Sequence, residues 1–254
     1  MKQAALVVLS GGQDSTTCLF WAKRQFDEVH AITFDYGQRH RIEIDAAKKV
    51  ARMAGVVTHR IIEVPDVLGG MSPLTNRDVE LERYTDAASM DATIGNRREL
   101  TFVPMRNALF LTIAANHAEV QDIRTIVTGV CQMDNANYDD CRLTFIDAAE
   151  DYINKALGHD HRTPGKRIII ATPLMDLDKA QTCRLASELP GCWEALAYSH
   201  TSYDGKYPPT DMNHSNVLRA DGFEKAGMPD PLVLRAAREG LMEIPATRNY
   251  DGYR

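Results

Sequence analysis

No CxxC pair occurs in this chain, no apolar run approaches the length that spans a membrane, and 29 lysines and arginines are outnumbered by 35 aspartates and glutamates. Each absence removes a class of protein. Five cysteines (Cys18, Cys131, Cys141, Cys183 and Cys192), odd in number and without paired spacing, argue against a disulfide framework or a thiolate metal site and for reduced cytosolic thiols. The apolar start of MKQAALVVLSGG is too short for a signal peptide and runs straight into a glycine turn, as a buried first strand does. With no membrane span either, a cytoplasmic location is expected. A net charge of −6 lacks the basic face of a dedicated nucleic-acid binder. Neither nucleic acid nor membrane is therefore expected as a direct partner. Internal repeats, low-complexity tracts and obvious linkers are missing too.

What is present is alternation. AALVVLS, VHAITFD, HRIIEVP, IRTIVTGV and RIIIATPL read as five strands. Helical patterns follow them at about Ser15 to Gln25, Arg41 to Ala54, Asn107 to Val120, Arg142 to Leu157 and Asp178 to Leu189. Such alternation predicts an α/β fold, a doubly wound parallel sheet of about five strands covered on both faces. Two stretches break the pattern: Asp66 to Leu100, expected to be a functional loop or lid, and Tyr198 to Asn216. The expected division is a nucleotide-binding domain over 1–190, with an insertion at about 66–100, and a small irregular C-terminal region over 191–254.

LSGGQDSTTCL, Leu9 to Leu19, lies between the first strand and first helix, at the ligand-binding edge of a parallel sheet. Gly11 and Gly12 let the backbone approach closely. Amides of the turn and of the first helical turn then point at an anion, with the helix dipole assisting. Ser10, Ser15, Thr16 and Thr17 offer hydroxyls, with Gln13, Cys18 and Leu19 completing the segment. Asp14 would repel a phosphate unless it holds a Mg²⁺ ion or orients the loop. A linking turn of small residues is the bland alternative, and the full string in its strand–turn–helix setting speaks against it. The GKS/T of a Walker A loop and the GxGxxG of a dinucleotide fold are both absent. The string resembles SGGxDS of the PP-loop ATP pyrophosphatases, which implies cleavage of ATP between its α- and β-phosphates and transfer of AMP to a substrate oxygen.

Four further motifs sit after strands or before helices and converge on the same edge: FDYGQRH (Phe34 to His40), FVPMRN (Phe102 to Asn107), TGVCQMDNANYDDCR (Thr128 to Arg142) and TPLMDLDKAQT (Thr172 to Thr182). Together the five resemble the QueC family from Met1 to about Pro231, apart from the 66–100 stretch. The resemblance implies 7-carboxy-7-deazaguanine and ammonia as substrates, ATP and Mg²⁺ as cofactors, a nitrile product and a homodimer. It implies catalytic roles for Lys179, Asp14 and Arg106, with Lys179 meeting the pyrophosphate. Tyr36, Gln38, Arg39, His40, Arg106, Asn107, Asp134, Tyr138 and Asp139 become expected substrate contacts, and an Asp of the 134–140 loop would read a guanine-like edge. Bland readings stand beside these: an exposed helix lysine, surface salt-bridge arginines, a capping histidine and solubilising loop aspartates. Another PP-loop ligase, a tRNA thiolase or a non-catalytic nucleotide-binding module are the rival functions. The motifs after the second and fourth strands speak against the first, and the missing CxxC against the thiolase.

The chain departs from the family's pattern in one place. Where the family carries four zinc-binding cysteines, Ser202, Thr210, Asn213 and Asn216 stand. These side chains cannot supply the soft anionic ligands of a structural zinc. A hard-ligand site from His200, Asp204, Asp211 and His214 matches no motif. The expectation is a loop without zinc, held by hydrogen bonds among Ser, Thr and Asn side chains and by packing of Tyr203, Tyr207, Pro208 and Pro209.

Overall fold

The computed structural model describes residues 2–65, 67–133 and 137–254. Five parallel strands form one sheet: β1 (Ala4–Val8), β2 (Glu28–Asp35), β3 (His59–Glu63), β4 (Thr125–Val127) and β5 (Ile169–Ala171), in the order β3-β2-β1-β4-β5. In register, Ala4 faces Glu28, Ala5 faces Thr125 and Thr125 faces Ile169. The period of two decides which core each side chain enters. Ala5, Val7 and Leu9 point to one face with Val29 and Ala31, whereas Leu6, Ile32 and Phe34 point to the other.

The first face is covered by α1 (Gln13–Gln25), α2 (Ile42–Ala54), α6 (Lys179–Glu188) and α7 (Cys192–Leu196), and Phe223 of α8 (His214–Ala226) joins the same core. α4 (Arg106–Val120) and α5 (Leu143–Leu157) cover the second. α9 (Pro231–Arg238) follows α8 and is capped by Asp230, whose carboxylate accepts from Leu232 N.

Strand order reverses at β1, so the crevice beyond the carboxyl ends of β1 and β4 is the topological switch point where ligands bind in open α/β sheets. Gly129, in the loop after β4, lets that loop press on the start of α1: a Cβ there would lie 3.1 Å from Asp14 C and Ser15 N.

The fifth strand is shorter than RIIIATPL predicts, and 66–100 is not wholly irregular. It contains α3 (Ala87–Ile94), opened by a reciprocal cap between Asp86 and Ser89. Tyr84, Met90 and Ile94 bury themselves with Val217 of α8. The insertion thus packs on the C-terminal region, a long-range contact that local periodicity does not encode.

Candidate active site

One cavity occupies the switch point. Leu9, Ser10, Gly12, Gln13, Asp14 and Ser15 line it, whereas Gly11, Thr16, Thr17, Cys18 and Leu19 do not. Gly11 has φ +95°, and a Cβ there would sit 2.3 Å from the carbonyl oxygen of Glu43, so α2 closes on the turn only because the residue is glycine. Ser10 N and Gly11 N both donate to Ser15 Oγ at 3.2 Å, and Gly12 N donates to Ser10 Oγ at 3.2 Å. These amides are engaged by the turn's own hydroxyls rather than free. The first-turn amides of α1 have no intrahelical acceptor, and its N-cap Gly12 brings no side-chain cap. Thr17 Oγ1 donates back to Gln13 O at 3.0 Å, and Cys18 and Leu19 are core residues, which burial makes of them despite the motif.

Lys179 is not an exposed helix lysine. It opens α6 behind the capping box of Asp178 and Gln181. Its side chain is 9% exposed, and Nζ donates to both carboxylate oxygens of Asp14, at 2.9 and 3.1 Å. The carboxylate that looked out of place beside phosphates is thereby neutralised, and Lys179 is aimed at the turn.

The opposite wall is aromatic: Phe34, Tyr36, Phe110, Tyr138 and Tyr203. Phe34 and Phe110 stack at 4.1 Å between centroids, 7° from parallel. Among them stands Arg106, the first residue of α4, donating to Tyr36 OH at 3.4 Å. Burial works against its charge, but the surrounding phenols of Tyr36, Tyr138 and Tyr203 outweigh that, and its pKa is raised. Burial pushes the Tyr36 and Tyr138 hydroxyls up as well. Asn107 also lines the cavity, and its Nδ2 donates to Asp140 O at 3.0 Å. Tyr138 OH donates to the buried carboxylate of Glu99 at 3.0 Å.

Other expected contacts lie elsewhere. Arg39 grips the backbone carbonyls of Arg77 and Val79 (2.8 and 3.1 Å), holding the insertion instead of lining the cavity. Gln38 is fully buried: its Oε1 accepts from Tyr36 N at 2.9 Å and its Nε2 donates to Glu43 Oε1 at 2.9 Å, so it shapes the motif from behind. Asp139 is exposed and paired with Arg98. Asp134 lies outside the described residues.

His40 does reach the cavity wall, 3.2 Å from Glu43 Oε2. Burial pushes the Glu43 carboxyl up, but the His40 charge, hydrogen bonds from His40 and Gln38, and the His200 charge outweigh it and leave it below the ordinary range. Sequence reasoning passed over Glu43, though its place three residues after His40 on a predicted helix was a readable signal. It also missed the cavity face of α8 (His214, Ser215, Leu218, Arg219), which carries no local signature.

Three of the four residues at the family's cysteine places, Ser202, Asn213 and Asn216, gather around one carboxylate. Asp211 Oδ1 accepts from Ser202 Oγ (2.6 Å) and Asn216 Nδ2 (2.7 Å), and Oδ2 accepts from Asn213 Nδ2. Arg83, from the insertion, lies 2.6 Å from Asp204 and 3.6 Å from Asp211. His200 Nε2 is engaged with Ser202 O, and His214 faces the cavity. Among the described residues no cluster of three or more His, Cys, Asp or Glu is arranged to hold a metal. Neutral hydroxyls and amides around a carboxylate do not fit a zinc ion.

A phosphate-type turn at the switch point of a doubly wound parallel sheet, backed by a buried lysine, defines a nucleotide-binding α/β protein of the PP-loop kind. The family model described as "Queuosine biosynthesis protein QueC" matches residues 4–227. Over 235 residues the chain is 49% identical to a 7-cyano-7-deazaguanine synthase of Laribacter hongkongensis (92% of this chain, 95% of the relative). Synthases of that name from Chromobacterium violaceum and Gloeobacter violaceus are 47% and 46% identical over 240 and 234 residues, covering 93% and 91% of this chain and 96% of each relative. The chain belongs to the QueC family.

Proposed function

We propose that this protein is a ligase that converts 7-carboxy-7-deazaguanine and ammonia to 7-cyano-7-deazaguanine at the expense of ATP. The observation that carries the reading is one cavity with two unlike walls. A turn and a buried lysine suited to phosphates face an aromatic, arginine-bearing wall suited to a flat heterocycle with a carboxylate. The near full-length identity to synthases of that name supports the substrate.

The chemistry follows from what a carboxylate needs. Its oxygen attacks the α-phosphate, the bond to the β-phosphate breaks, and pyrophosphate leaves with the electron pair. Ammonia then adds to the acyl carbon and AMP departs, giving the amide. A second ATP adenylylates the amide oxygen. Loss of the nitrogen-bound protons and of AMP leaves the nitrile, so both carboxylate oxygens depart on AMP. The protein's share is positioning and charge neutralisation. Lys179 faces the leaving pyrophosphate, Arg106 holds the substrate carboxylate, and Tyr36, Phe110 and Tyr138 sandwich the ring. Mg²⁺ would arrive with the nucleotide, held chiefly by phosphate oxygens and neutralising their charge. Asp14 and Glu43, the carboxylates on the described cavity wall, are already engaged by Lys179 and His40.

The proposal includes a two-part organisation, with residues 191–254 closing the cavity formed by 1–190, a homodimer, a cytoplasmic location, and no direct nucleic-acid partner. No helix among the described residues is long and apolar enough to cross a membrane.

The test is product mass after incubation with ATP, Mg²⁺, ammonium and 7-carboxy-7-deazaguanine. The expected product is the nitrile, and Lys179→Ala should lower its rate about 10²–10³-fold, the range for losing one donor to developing charge. Turnover of ATP with a different carboxylate, and no nitrile or amide from this one, would refute the assignment.

A further inference from the structure

Gly222 lies inside α8, where glycine weakens a helix relative to alanine. No turn geometry calls for it, since its φ is not among the positive ones. The reason is a contact. A Cβ on Gly222 would lie 2.4 Å from Lys179 Cγ, 2.9 Å from Lys179 Cβ and 3.3 Å from Lys179 C. Those are the root of the lysine side chain and its backbone, not the pliable tip. α8 therefore lies directly on the stem of Lys179, and the absent methyl is the space the stem occupies.

A lysine stem is rich in rotamers. Confinement against α8 removes much of that freedom in the folded protein, leaving the ammonium 2.9 and 3.1 Å from the Asp14 oxygens at the cavity wall. α8 is itself anchored through the turns that precede this contact. Asn213 caps it and Asn216 ties it to Asp211. Arg219, 2% exposed, makes a two-pronged pair with Asp230 (2.6 and 2.8 Å) and reaches Ser199 and Thr201 (2.8 Å each). So held, the helix has little room to retreat from an added methyl.

We infer that Gly222 is a positioning residue for Lys179: the bare helix surface it creates sets the lysine stem so that the ammonium faces the phosphate turn. The inference rests on the reading of Lys179 given above, and it makes the C-terminal region a part of the ATP-cleaving apparatus.

The test is a set of four variants: Gly222→Ala, Lys179→Ala, the double variant, and Ala220→Gly at an exposed position of the same helix. Each is assayed for nitrile formation, with kcat and KM for ATP and the deazaguanine acid, and for thermal unfolding. Gly222→Ala is expected to lower kcat about 10–100-fold while KM for the acid stays within about threefold. Added to Lys179→Ala, it should cost no further rate, because both act through one ammonium. Ala220→Gly should lower the melting temperature and leave kcat unchanged.

If Gly222→Ala alone does not fold, melting decides instead. Removing Cγ with Lys179→Ala must then recover part of the lost stability. Wild-type kinetics for Gly222→Ala, rate losses that multiply in the double variant, or no thermal recovery would each overturn the inference. A Lys179→Ala enzyme with unchanged kcat overturns it together with the reading of Lys179. That outcome is recognised because the lysine variant alone reveals it.

Discussion

Replacing Asp211 with alanine should loosen the C-terminal loop, whose His200, Thr201 and Tyr203 line the cavity. The Asp211 side chain is 7% exposed and is the shared acceptor for Ser202, Asn213 and Asn216, which are 0%, 1% and 8% exposed. Each hydrogen bond to a charged acceptor contributes about 1.5–3 kcal/mol net. Three would sum to about 4.5–9 kcal/mol, but they share one acceptor, so their losses are not additive. Water entering the space left by the carboxylate also re-pairs some donors. Arg83, half exposed and 3.6 Å away, adds little. A loss of about 3–5 kcal/mol remains, the scale for removing one partner from a buried ionic cluster. For a chain of this size that is a fall of about 6–20 °C in melting temperature. The assay is thermal and urea unfolding of wild type and Asp211→Ala, each with and without a chelator, beside elemental analysis. Wild type should be indifferent to the chelator and free of stoichiometric zinc. Asp211→Asn, which keeps the volume but turns an amide toward other donors, should fall between. A variant melting within about 2 °C of wild type would refute the role of Asp211. Stoichiometric zinc, with chelator-sensitive wild type, would refute the metal-free account of the loop.

Arg219→Ala leaves Asp230 buried without its cation and should cost about 3–5 kcal/mol in urea unfolding. Glu43 has a folded pKa below the ordinary glutamate value of 4.5, so its ionisation stabilises the fold above that value, and the contribution is lost as pH falls through the lower folded one. The stability gap between wild type and Glu43→Gln should therefore shrink as the pH falls below the ordinary glutamate value, as unfolding at a series of pH values will show. Arg106→Ala should lower kcat/KM for the deazaguanine acid about 10–100-fold, the worth of one hydrogen bond to a charged group. Arg39→Ala, which releases only the carbonyls of Arg77 and Val79, should leave KM for the acid within about threefold and lower the melting temperature instead.

The alternation of apolar runs with helical patterns was enough to determine the parallel sheet, and SGGQDS after the first strand was enough to place a phosphate turn at its edge, because burial and turn chemistry are written locally. Which motif residues line the cavity was decided only in three dimensions. Arg39 and Arg106 read alike in sequence, yet one clamps the insertion and the other enters the cavity. Asp139 looked suited to reading a base and is an exposed partner of Arg98, while Glu43 was passed over and lies on the cavity wall. α3 went unread because its start signal is a single capping pair in a polar stretch. The lost cysteines were visible as letters, but their replacement by donors converging on Asp211, and the seat of Lys179 against Gly222, were not. Lys179 and Gly222 stand 43 residues apart, and the donors to Asp211, though within nine residues of it, meet it through an irregular loop whose path no periodic pattern records.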